Sequence, residues 1–236
     1  MPDIITRLTP KIDQSIRHQA KQYFASTIKK GKRVKPVITL SREFGCEALP
    51  TARKLSELLK KHDGVDWIIY NRKLIAELTE NEDFDKELIA SLNEQQRSQV
   101  EVFVDKLLAH KPDNYTLYKQ MAQNVNALAR KGNCIIVGSG GAILNQNIHD
   151  CLHIRLKADL KFRIKRISKT LSISENEAEE LIEENERARQ QMIKSFTKKD
   201  IRDQKYYDLI IDNQTFNSDH ASELIVEALK RLVPNW

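Results

Sequence analysis

Val37-Ile38-Thr39-Leu40-Ser41-Arg42-Glu43-Phe44-Gly45-Cys46-Glu47-Ala48-Leu49-Pro50-Thr51 is the stretch from which the fold can be read. Val37 to Leu40 is a short apolar run suited to a buried strand. Pro50 to His62, with Ala52, Leu55, Leu58 and Leu59 on one side, reads as the helix that follows. In many open α/β domains such a strand-turn-helix unit holds nucleotide phosphates. Glycines let successive backbone N–H groups converge on phosphate oxygens, a lysine neutralises them and a hydroxyl holds magnesium. The turn here keeps one glycine of that set, Gly45, and lacks Gly-Lys-Ser/Thr.

Further apolar runs, Asp66 to Tyr70, Cys134 to Val137, Leu152 to Leu156 and Leu209 to Ile211, alternate with helical patterns. Five buried strands separated by helices predict an α/β fold with a doubly wound parallel sheet. Between the second and third strands, Lys73 to Arg130 carries about sixty residues of helical pattern, far longer than an ordinary crossover. An insertion of that size usually builds part of a substrate site.

A chain of 236 residues with 40% hydrophobic content can fill the core of one globular unit. Cys46, Cys134 and Cys151 are too few and too scattered for a disulfide framework and read as reduced thiols. No window approaches 18 consecutive apolar residues and no apolar stretch precedes a cleavage site, so the expectation is a cytoplasmic protein with no membrane span. The formal net charge of +6 is concentrated in residues 1 to 35, which hold nine basic residues against Asp3 and Asp13. Such an extension suits contact with nucleic acid or an acidic partner, and equally suits a solvated face.

Within that extension, Ile12, Ile16, Ala20, Tyr23, Phe24 and Ile28 recur at three- and four-residue steps, the stripe of an amphipathic helix. Thr9 can cap it, Pro10 fits its first turn and Gly31 can end it. Gly31-Lys32 superficially resembles the end of a phosphate loop. It precedes the strand, however, with Arg33 where a hydroxyl belongs and Ser26 where the first glycine should be.

Polar groups cluster at the carboxyl ends of the expected strands, where open α/β sheets bind ligands. Asn71-Arg72 follows the second strand and Gly138-Ser139-Gly140-Gly141-Ala142 the third. After the fourth, Arg163 and Arg166 share one helix face, a spacing suited to phosphate recognition or to an exposed basic surface. Ser174 and Glu177 make a capping box that opens an acidic helix through Glu186. Arg187, Arg189, Lys194, Lys198 and Lys199 follow, as in a charged lid or a helix whose ends complement its dipole. Trp67, Tyr70 and Tyr115 can stack on a base, but core packing accounts for them as well.

Over roughly residues 36 to 232 the chain resembles the cytidylate kinase-like family, a branch of the P-loop nucleoside monophosphate kinases. Ser41-Arg42-Glu43-Phe44-Gly45 is similar to the opening of that family's loop, and Tyr70-Asn71-Arg72-Lys73-Leu74-Ile75 to its Tyr/Asp-Arg-Glu-Leu-Ile. Ile135 to Gly141 resembles its Val-Ile-Val-Gly-Arg-Gly-Ala, and Phe162 to Arg166 its Phe-Arg-Val-Lys-Arg. Ala188-Arg189, Phe196-Thr197-Lys198-Lys199-Asp200 and Tyr207-Asp208-Leu209 complete the set. The resemblance implies a P-loop NTPase-like domain over residues 36–236, with a helical NMP-binding insertion at about 73–130 and a lid at about 172–205, behind a helical extension at 1–35. It implies ATP as phosphoryl donor, Mg2+ as counterion and a pyrimidine monophosphate such as CMP as acceptor. Ser41, Arg42, Gly45, Cys46 and Thr51 then face the donor, and Arg72, Gly138, Ser139 and Gly140 flank the acceptor. Arg163, Arg166, Arg187 and Arg189 clamp the transferring phosphate. Asp208 and Asp212 are weak candidates for the metal, and no ligand is assigned.

The departures from the family's Gly-Ser-Gly-Gly-Arg-Glu loop act against phosphate. Glu47 and Ala48 stand for the paired glycines, Leu49 for the cation, and Pro50 removes a donor; Ser139 replaces an arginine. Phosphoryl transfer depends on positioning and charge neutralisation, so these losses remove several kcal/mol of transition-state stabilisation unless Arg42, Arg53, Lys54 or the lid arginines compensate. Two functions are therefore expected: a nucleoside monophosphate kinase, or a catalytically silent pseudokinase that binds a nucleotide or a partner.

Overall fold

The computed structural model describes residues 35–108, 115–138, 140–234 and 236. The helix expected within residues 1 to 35, and with it all but Lys35 of the basic extension, lies outside the described residues.

The five expected strands form one sheet: β1 (Val37–Arg42), β2 (Ile68–Asn71), β3 (Cys134–Val137), β4 (Cys151–Lys157) and β5 (Leu209–Asp212). Their order is β2-β3-β1-β4-β5 and every pairing is parallel. Because helices cover both faces, β2 and β3 are buried at every position instead of alternating in and out. Some strands run past their apolar runs. Ser41 and Arg42 pair with Arg155 and Leu156, which carries β1 to the loop. Asp66 instead stays outside β2 and meets Lys60 at 2.7 Å.

Helix α1 (Ala48–Asp63) begins two residues before the proline that was expected to open it. Ala48 and Leu49 are buried in the core, and Pro50 sits in the first turn, where a missing N–H leaves no intrahelical bond unmade. Among the described residues the insertion is four helices, α2 (Arg72–Thr79), α3 (Glu82–Ala90), α4 (Glu94–Leu107) and α5 (Tyr115–Lys131). Leu74, Ile75, Leu88, Val100, Val104 and Val125 join it to the main core. The one-turn α6 (Gly141–Leu144) follows β3, and α9 (Ser218–Leu232) closes the chain against α1.

After β4 come α7 (Leu160–Leu171) and α8 (Glu175–Thr197). The predicted capping box is present: Ser174 Oγ accepts from the Glu177 amide, and the Glu177 carboxylate accepts from the Ser174 amide. The acidic segment and the basic residues through Lys194 are one continuous helix, which ends at Thr197 with Lys198 as its left-handed cap. Ile164, Ile167, Ala178 and Ile182 make a small separate core between α7 and α8, and its fifth member is Phe44 of the loop after β1.

Candidate functional site

The loop from Glu43 to Glu47 lies at the carboxyl edge of the sheet, in the place anticipated for a phosphate loop. Its backbone donors at residues 44, 46 and 47, and that of Ala48 just after it, already have protein acceptors. The Phe44 amide donates to Glu186 Oε1 at 3.0 Å, the Cys46 amide to the Glu43 carbonyl at 3.2 Å, the Glu47 amide to Asn213 Oδ1 at 2.6 Å, and the Ala48 amide to the Cys46 carbonyl at 3.1 Å. Thr51, expected to face the donor, is fully buried and donates to the Glu47 carbonyl at 2.7 Å.

Two guanidinium–carboxylate pairs fix this arrangement. Arg163, on the buried side of α7, donates through Nη1 to Glu186 Oε1 at 2.9 Å and to the Phe44 carbonyl at 3.2 Å. Its Nε reaches the Ala158 carbonyl at 3.0 Å, with Glu43 Oε2 at 3.6 Å. Arg166, one turn on, donates to the Gly45 carbonyl at 3.0 Å and pairs with Glu47 Oε1 at 3.0 Å. Ser218, at the start of α9, donates to the other Glu47 oxygen at 2.7 Å. Burial lowers the Arg166 pKa, with Glu47 opposing the shift.

Gly45 adopts φ +98°, and a Cβ there would stand 2.9 Å from Arg163 Cβ, so a glycine is required for α7 to approach this closely. Burial first, then the Glu43 carboxylate, pushes the Cys46 thiol up to about 12. A cleft of about 120 Å³ runs along the loop past Phe44, Leu49, Pro50, Arg166, Ile167 and Thr170. Pockets that take small molecules measure roughly 300–1,000 Å³.

On the other side of β1, the Arg42 guanidinium lies against Gly138 (φ +78°), and the Arg42 carbonyl accepts from Arg189 Nη1 at 2.7 Å. Arg189 is close enough to Arg155 and Arg72 for both to lower its pKa after burial. Arg72 itself is exposed at the start of α2, where Asn71 Oδ1 caps the helix by accepting from the Leu74 amide at 2.8 Å. Gly140 (φ +69°) caps α6 and approaches Ile193 of α8, and Ser139 lies outside the described residues. The Ser41 hydroxyl stands 3.3 Å from that of Tyr207.

The structure therefore brings Ser41, Arg42, Gly45, Cys46, Thr51, Arg163, Arg166 and Arg189 around one loop, with Arg72, Gly138 and Gly140 beside it. Arg187 is apart from them: it is solvent-exposed on α8, 3.9 Å from Glu183. Sequence reasoning overlooks Glu186, Asn213 and Ser218, which supply the loop's acceptors and its second anchor. Their one signal is position, Glu186 three residues before Arg189 and Asn213 directly after β5.

A parallel sheet of this order, with its central strand feeding the loop, a helical insertion after β2 and an arginine-bearing helix pair after β4, defines an α/β protein of the P-loop kinase-like class. More particularly, the chain belongs to the cytidylate kinase-like family, whose sequence model matches residues 37–215. Among solved structures it is similar to an uncharacterized protein from Eubacterium ventriosum ATCC 27560, with a TM-score of 0.65 and 16% identity over 84% of this chain and 99% of that one. No curated protein matches the sequence.

Proposed function

We propose that this protein is a catalytically silent member of its family that binds a nucleotide without transferring phosphate. The observation that carries the reading is the state of the loop: its amides at 44, 46, 47 and 48 and the Thr51 hydroxyl are engaged by protein acceptors. Residues so committed do not fit ATP and Mg2+ in this conformation, since Glu47 adds negative charge beside the loop and Leu49 supplies no cation. The ligand favoured instead is a nucleoside monophosphate such as CMP, held at the carboxyl ends of β2 and β3. There Arg42, Arg72 and Arg189 concentrate positive charge beside Gly138 and Gly140.

That same convergence of arginines favours a second reading, the inherited ATP-dependent phosphorylation of CMP, with guanidiniums in place of the lost loop cation. Calorimetric titration with CMP, together with a coupled ADP-release assay on the same sample, separates the two. The expected outcome is CMP binding that weakens with salt and no ADP release; CMP-dependent ADP release overturns silence.

A further inference from the structure

Two carboxylates in this site behave as ligands do. Glu186, from α8, accepts a hydrogen bond from the Phe44 amide and another from Arg163; Glu47, within the loop, pairs with Arg166 and accepts from Ser218. Backbone amides and arginines at a strand-to-helix turn are the groups that receive phosphate oxygens. Here Arg163 holds Glu186 at 2.9 Å, with Glu43 farther off at 3.6 Å, and Arg166 holds Glu47 at 3.0 Å. Phe44 adds an apolar anchor between α7 and α8, so loop and lid helices pack as one unit.

We propose that Glu186 and Glu47 form an internal lock on the donor loop, occupying with their own carboxylates the contacts a polyphosphate would need, so that the loop accepts an anion only after they are displaced or neutralised. The proposal rests on the silent reading above and gives it a cause within the chain. Charge cancellation adds to occupancy, because a triphosphate approaching the loop meets two guanidinium–carboxylate pairs in place of two free cations. Asn213 completes the closure from β5 by taking the Glu47 amide. The lock draws on the loop, α7, α8 and the β5–α9 junction.

The test uses full-length protein and inorganic tripolyphosphate, which probes the anion site without base or sugar contacts. Calorimetric affinity is compared between wild type and the double variant Glu47→Gln, Glu186→Gln, whose side chains keep their size while losing their charge. The expected result is an affinity about a hundredfold higher in the variant. Faster amide exchange in the peptide over residues 43 to 49 is expected beside it. Glu47→Gly alone leaves the bonds of Arg163 intact, so a folding defect from the change at Glu186 does not remove the test; this variant is also expected to bind more tightly than wild type. Folded variants with the wild-type affinity for tripolyphosphate overturn the lock. Turnover by the wild type with ATP and CMP would instead sink the silent reading, so the two failures are told apart.

Discussion

Replacing Arg163 with methionine tests whether the guanidinium is a structural bolt or a reserve for phosphate. The side chain is 8% exposed and its partners Glu43 and Glu186 are 24% and 36% exposed. Removing one partner of a buried pair costs about 3–5 kcal/mol, because the other charge is left without compensation. The partial exposure of Glu186 reduces this to about 2–4 kcal/mol, since water can reach the stranded carboxylate. Methionine keeps most of the aliphatic volume, so little of the loss comes from packing. In a domain of this size the expected fall in Tm is about 5–15 °C. Urea unfolding of wild type, Arg163→Met, Glu186→Gln and the double variant completes a cycle, and a coupling of about 1–3 kcal/mol is expected between the two sites. An Arg163→Met protein within about 0.5 kcal/mol of wild type, with no coupling, would refute the reasoning and leave the guanidinium available to a substrate.

Cys46 supplies a chemical readout of the closed loop. With its thiol pushed up to about 12, only about one molecule in ten thousand is thiolate at pH 8. Native protein is therefore expected to resist iodoacetamide while the urea-unfolded chain labels readily at Cys46, Cys134 and Cys151; rapid native labelling at Cys46 contradicts this. Within the sheet, burial lowers the His153 pKa against the opposing pull of Asp208, while Nδ1 stands 2.8 Å from the Thr39 hydroxyl. The unfolded chain then binds a proton below about pH 6.5 that the folded protein does not, so this contribution is complete above that pH and is lost as pH falls. Urea midpoints are expected to drop between about pH 7 and pH 5, and to drop less in His153→Gln; equal drops count against the assignment.

The strands are legible because each is a short apolar run that must be buried, and each of the five runs overlaps a strand, although Asp66 and Trp67 fall before β2. Strand order is less accessible, since apolar periodicity says which residues are inside and not which neighbour they meet. Arg163 and Arg166 can be read as a pair on one face from their spacing, and both do point at the loop. Their acceptors cannot be read the same way. Arg163 meets a carbonyl 119 residues away and Arg166 one 121 residues away, separations that leave no local pattern. Glu47 illustrates the limit best. Its charge is visible in the sequence as hostile to phosphate, whereas its role as acceptor for Arg166 and Ser218 depends on α7 and α9 arriving at the same place.

The central claim is that the donor loop is shut, and the most direct measurement is calorimetric titration of the wild-type protein with ATP in the presence of magnesium. The closed loop predicts no saturable heat up to millimolar nucleotide. Magnesium-dependent saturation at micromolar ATP would contradict it and return the protein to the active kinases.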